Sequence, residues 1–247
     1  MLRKPSKAVV AVAAVVALAV PVAADRITAV LAGDRLAARL RCTAAITGDV
    51  DVTLRGFPFL TQLARGEFDG VSLRADRVTA RDVPLGDVRV EARGLRGTSA
   101  DALTASAVLP YPALTGLAGD ALSGPGLAGA EFGGDGGRLT ITTTLPVRGM
   151  TMPATVYADL TVDGNRLTVT PGEIELAGLG LRVPASRLPD GMAGARTVAL
   201  PALPDGLVYQ RISATTGGLL LVVAGTGFDL GSGRADEDNN SCGGTRR

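Results

Sequence analysis

Between residues 50 and 92 apolar and polar side chains alternate with a period of two. Val50, Val52 and Leu54 alternate with Asp51, Thr53 and Arg55, and Val71, Leu73 and Ala75 with Ser72 and Arg74. Val88, Val90 and Ala92 repeat the pattern against Arg89 and Glu91. Such alternation predicts half-buried antiparallel strands with one apolar and one wet face. A second set starts with Leu139, Ile141, Thr143 and Leu145 and continues through Val156, Ala158, Leu160 and Val162. Asp163-Gly164-Asn165 then predicts a tight turn, with Leu167 and Val169 leading out and Ile174 and Leu176 continuing. A last hairpin pairs Val208, Gln210, Ile212 and Ala214 with Leu219, Leu221 and Val223 across Thr216-Gly217-Gly218.

Helical spacing occurs upstream. From Asp25 to Arg41, Ile27, Val30, Leu31, Leu36, Ala37 and Leu40 recur at roughly helical intervals, with Arg26, Asp34, Arg35, Arg39 and Arg41 between them. This predicts an amphipathic helix lying on the core, with Gly33 as a weak point and with a membrane-surface helix as the alternative that the arginines leave open. Pro110 to Leu122 predicts a short second helix, followed by a glycine-rich connection from Gly124 to Gly137. The proline-punctuated stretch from Val183 to Pro204 is expected to be mostly loop, with a short helix around Ser186 to Ala193. From Gly231 the chain is polar and expected to be unstructured. The sum is one α+β domain over residues 25–230: a long antiparallel sheet with one apolar face and a helix or two to cover it.

The first 24 residues follow a different rule. Arg3, Lys4 and Lys7 precede an unbroken apolar run from Ala8 to Val20, which Pro21 breaks before the small residues Val22-Ala23-Ala24. This is the pattern of a signal peptide cleaved near Ala24 or of an N-terminal membrane anchor; Ala8 to Ala24 is slightly short of the ~20 residues that span a bilayer. Either form leaves the rest of the chain extracytoplasmic, secreted or held at the outer face of the plasma membrane.

One cluster of bulk stands out. Gly56-Phe57-Pro58-Phe59-Leu60-Thr61-Gln62-Leu63 holds two of the five phenylalanines of a chain with no Trp and three Tyr, and Phe68 follows closely. Phe57, Phe59, Leu60, Leu63 and Phe68 are therefore the candidate ligand-contacting residues, with ordinary core as the competing reading. Pro58 between two aromatics points to a strand end or sheet edge.

Composition removes several chemistries. Without histidine, Ser-His-Asp and Cys-His catalytic sets cannot be assembled. No nucleophile elbow, Walker loop or dinucleotide fingerprint is present, and Gly133-Gly134-Asp135-Gly136-Gly137 lacks the Lys and helix start of a phosphate loop. The carboxylate pairs Glu173/Glu175 and Asp236/Asp238 read as solvated surface and polar tail, and Asp236-Glu237-Asp238 lacks calcium-loop spacing. No catalytic residue, metal site or cofactor is expected. With a net charge of +1, nothing suggests a nucleic-acid partner, which would call for a basic stripe or patch. Cys42 and Cys242 would be free to pair after export, and their pairing stays open.

The export pattern, the amphipathic helix and the run Gly56-Phe57-Pro58-Phe59-Leu60-Thr61-Gln62-Leu63-Ala64-Arg65-Gly66 through Phe68, Asp69 and Val71 go together with Leu200-Pro201-Ala202-Leu203-Pro204-Asp205-Gly206-Leu207 before the last hairpin. That combination, over about residues 25–230, resembles the actinobacterial LmeA-type phospholipid-binding proteins, long labelled a domain of unknown function. The resemblance implies a tubular-lipid-binding-like fold, a strongly curved antiparallel sheet wrapped around a helix and an apolar cavity. It also implies a non-enzymatic cell-envelope protein that carries or senses phospholipid, with phospholipid and the membrane surface as partners. A packed envelope scaffold that binds protein or glycan is the alternative.

Overall fold

Ala, Leu and Val dominate residues 8 to 32, and the chain there forms one long helix, α1 (Lys7–Thr43). The computed structural model describes residues 7–43, 48–80, 82–114, 129–147, 150–176, 181–187 and 194–229; side chains are described from residue 19 onward. Pro21 interrupts the apolar run in sequence but lies inside α1, which continues through it. A proline removes a single N–H from the ladder and crowds one carbonyl. The good helix formers on both sides keep the remaining bonds.

After α1 the period-two segments form strands. β1 (Val50–Arg55) leads into a short helix, α2 (Phe59–Arg65), and then β2 (Glu67–Ala80), β3 (Val83–Arg96) and β4 (Ser99–Pro110) form a meander. β5 (Glu131–Asp135), β6 (Arg138–Val147), β7 (Met150–Asp163) and β8 (Arg166–Leu176) form a second one. β9 (Leu181–Pro184), a turn of 3-10 helix at Ala185–Arg187, β10 (Arg196–Ala199), β11 (Leu207–Ala214) and β12 (Gly218–Asp229) complete the chain.

All pairings are antiparallel, and the strands divide between two six-stranded sheets. The first runs β1-β2-β3-β4-β12-β11; the second runs β10-β8-β7-β6-β5, with β9 also on β8. Neither sheet closes on itself. Register shifts interrupt the ladders at Gly86/Arg89, Tyr157/Ala158 and Tyr209/Arg211. Such irregularities bend strands and increase local twist. The whole is one α+β antiparallel domain.

The core sits where the sheets meet. Leu109, Ile212, Ala214 and Leu219 of the first sheet pack with Leu139, Ile141, Ala158, Leu167 and Val169 of the second. A smaller cluster of Ala37 with Val50, Val52 and Ala75 seats α1 on β1 and β2, and a third joins Ala154, Ile174 and Ala185.

The turn at Gly164-Asn165 and the Ala214↔Leu219 register of the last hairpin fall where the alternation put them. Three connections differ. The stretch from Val183 to Pro204 contributes β9 and β10, short strands on the edge of β8, where Val183 registers with Ile174 and Val198 with Leu167. An edge tolerates the prolines that a sheet centre rejects. The glycine-rich connection contains β5, with Phe132 opposite Ile141. An added Cβ at Gly134 would collide with the Thr215 carbonyl and the Tyr111 hydroxyl, so that glycine permits a close approach. Of the helix expected over Pro110 to Leu122, Pro110 ends β4, Tyr111 to Leu114 are helical, and residues 115–122 lie outside the described residues. Residues 188–193, the polar tail and the Cys42–Cys242 pairing also lie outside them.

Candidate functional site

α1 meets the sheet through its smallest side chains. Ala29, Gly33 and Ala37, four residues apart, are buried, and a Cβ on Gly33 would collide with the Val52 carbonyl oxygen. The large residues take the other side. Ile27, Val30, Leu31 and Leu36 are exposed, with Val30 64% accessible. For these four the expected orientation is reversed, whereas Ala37 and Leu40 of the same pattern do pack on the sheet. The backbone-to-backbone approach at Gly33 leaves no room for branched side chains beneath it.

At residues 19 to 24, Ala-Val-Pro-Val-Ala-Ala, α1 is exposed on every side. A helix that is apolar all round and uncovered by protein is unusual for a surface element. Among the described residues no helix is long and apolar enough to cross a membrane.

α2 is built into the corner beside that segment. The chain leaves the edge strand β1 through Gly56 (φ 106°) and a cis Phe57–Pro58 bond, and just past that strand end the Phe-Pro-Phe run enters α2. Pro58 carries no capping side chain. The missing cap comes from α1: the Leu60 N–H donates to Asp25 Oδ1 at 2.8 Å. The same backbone N–H, with that of Phe59, holds the Asp25 carboxyl below its ordinary value of 3.8, against the opposing effect of burial. Arg26 adds to the lowering and donates from Nη1 to the Gly56 carbonyl at 3.3 Å. Its guanidinium lies 5.0 Å from the centroid of the Phe57 ring.

Gln62 closes the other end of the corner. Its Oε1 accepts from the Asp69 N–H at 2.8 Å, tying α2 to β2. A side chain on Gly56 would collide with Gln62 and Asp69. α2 then stops at Gly66 in the left-handed conformation (φ 68°), whose N–H returns to the Leu63 carbonyl. Asp25 Oδ2 and Gln62 Nε2 are buried without hydrogen-bond partners.

The five candidate residues therefore divide. Phe59 is 1% exposed and packs on half-buried Phe68, their centroids 6.1 Å apart; both belong to the interior. Phe57, Leu60 and Leu63 face outward, each about half accessible. Asp25, Arg26 and Gln62 place them and escape the apolar pattern altogether. A buried Asp beginning an amphipathic helix is the signal that points to its capping role.

The carboxylates on β8 have partners of their own. Glu173 receives Arg138 Nη1 at 3.0 Å, and Glu175 receives Arg182 Nε at 3.0 Å and the Tyr157 hydroxyl at 3.1 Å. Both guanidiniums lie near the Tyr157 ring, at 5.1 and 4.7 Å from its centroid. Burial, then the bond to Glu175, raises the Tyr157 hydroxyl above its ordinary value of 10.0. Each carboxylate is matched to an arginine in an ion pair. Among the described residues no group of three or more His, Cys, Asp or Glu could hold a metal ion.

Comparison with curated proteins and with solved structures returned no match. The family model described as LmeA-like phospholipid-binding matches residues 23–224, from the helical turn before Asp25 to the buried Ala224 of β12. That span takes in the corner, both sheets and nearly all of the final hairpin, and on it the chain belongs to the LmeA-like phospholipid-binding family.

Proposed function

We propose that this chain is an exported phospholipid-binding protein of the cell envelope that carries or senses lipid without catalysing a reaction. The observation that carries the reading is the family match over residues 23–224, taken with three large apolar side chains held outward on a capped corner. Export rests on Arg3, Lys4 and Lys7 before the apolar run from Ala8 to Val20. The absence of histidine from the chain and the ion-paired state of Glu173 and Glu175 support a non-enzymatic role.

Transfer energetics suit a carrier. Removing an acyl chain of ~15 methylenes from water gains on the order of 12 kcal/mol at ~0.8 kcal/mol each. Relative to a bilayer the gain is near zero, because the chain already lies in hydrocarbon. Such a protein holds lipid in buffer and gives it up to a membrane.

Native mass spectrometry of the purified chain with lipid extraction tests this. A preparation that carries phospholipid and releases it to vesicles is the expected result. A chain that carries none and takes none up overturns the reading. Turnover of an envelope lipid or glycan, lost on substituting a single Asp or Glu, would overturn its non-enzymatic part.

A further inference from the structure

Two apolar features that no described residue covers meet at one place. α1 is exposed on every side at residues 19 to 24, and its Val20 and Val22 are large and accessible. One turn later Asp25 and Arg26 grip Leu60 and Gly56, which sets the outward-facing Phe57, Leu60 and Leu63 beside the point where α1 leaves the sheet. We propose that this corner is a membrane-docking foot: the exposed segment of α1 at residues 19 to 24 enters a phospholipid bilayer while α2 rests at its interface. The proposal rests on the phospholipid-binding reading and adds the surface and orientation of the encounter.

Apolar surface and charge favour a bilayer as the occupant. No described helix is long and apolar enough to cross one, so the exposed segment at residues 19 to 24 inserts shallowly and the Phe57 corner next to it sits at headgroup depth. Arg26 beside Phe57 and exposed Arg65 at the end of α2 supply cations at that level for anionic phosphates. Phe57, Leu60 and Leu63 gain by leaving water, and a shallow insertion needs no rearrangement of the buried Phe59 and Phe68 beneath them. Asp25 gives the foot its rigidity, because its carboxylate fixes the start of α2 to α1.

The chain contains no Trp, so Leu60→Trp or Leu63→Trp introduces its sole indole emitter. Val208→Trp on β11, exposed at the opposite edge of the same sheet, is the control. The full chain is mixed with vesicles of phosphatidylglycerol and phosphatidylcholine carrying brominated acyl chains. Emission at positions 60 and 63 should shift to the blue and be quenched most by bromines close to the headgroup; position 208 should stay water-like. A chain that floats with the vesicles yet keeps water-like emission at 60 and 63 overturns the foot, as does a chain that does not float. A blue shift without vesicles that grows with protein concentration assigns the face to a second copy and overturns it as well. Lipid extraction from the same preparations separates the two readings. Bound phospholipid without quenching sinks the foot alone, and quenching without bound phospholipid sinks the carrier alone.

Discussion

Phe57 and Phe59 sit two positions apart and have opposite fates, which makes them the sharpest test at the scale of single residues. Phe59 is enclosed, so Phe59→Ala should cost about 3–5 kcal/mol and lower the melting temperature clearly in calorimetry. Phe57 is half accessible and its ring meets one guanidinium, so Phe57→Ala should cost about 1 kcal/mol or less. Equal losses would place both in the core. Asp25 supplies a pH dependence of definite sign. Its carboxyl is held below 3.8 in the fold, so the stabilisation it gives is complete above that value and is lost as pH falls through the lowered one. Hydrogen-exchange protection of the Leu60 amide should therefore drop in acid below pH 3.8, and in Asp25→Ala it should be low throughout. Protection that survives acid in the unsubstituted chain would show that the cap contributes nothing. Reading the sequence isolated Phe57, Phe59, Leu60, Leu63 and Phe68 as a group but left core and surface unassigned. The side of a seven-residue helix that turns inward is decided by a cap 35 positions away, which no local pattern encodes.

At the scale of elements, α1 carries a prediction that runs against helix propensity. Gly33→Ala should favour an isolated helix by about 1 kcal/mol. Here the new Cβ meets the Val52 carbonyl oxygen, a backbone atom that cannot rotate away, and overpacking of this kind costs about 1–3 kcal/mol. The variant should melt lower than the unsubstituted chain; a higher melting temperature would mean that α1 is not seated on β1 as described. Gly33 looked like a weak point because periodicity was weighed by hydrophobic bulk. Bulk put Ile27, Val30 and Leu31 inward, whereas the contact with β1 selects the stripe Ala29, Gly33 and Ala37. The strands read more cleanly, since alternation over β1, β2 and the last hairpin fixes face and partner together. β9 and β10 did not, because Pro184 and the short flanking runs imitate loop while the edge of β8 accepts them. α2 is too short for a 3.6-residue period to separate it from a strand.

For the whole molecule the open matter is whether two sheets make one folding unit. The central cluster is shared: Leu139, Ile141 and Leu167 come from the second sheet, Leu109, Ile212 and Leu219 from the first. A polar tie between the sheets reinforces it, with the Ala214 N–H donating to the Gly137 carbonyl at 3.1 Å. A glycine-rich connection from Gly124 to Gly137 joins the two strand sets, and their apolar faces meet in this one cluster. Leu139→Ala, at a site 2% exposed, should cost about 2–5 kcal/mol. The cluster contains residues from both sheets, so the loss should appear equally in β4 and β12 of the first sheet and in β7 and β8 of the second. Native-state hydrogen exchange measures this directly, since amides that open only by global unfolding lose protection by the same free energy. A loss confined to β6, β7 and β8 would mean that the sheets unfold independently. In that case a lipid held by one sheet would leave the stability of the other unchanged.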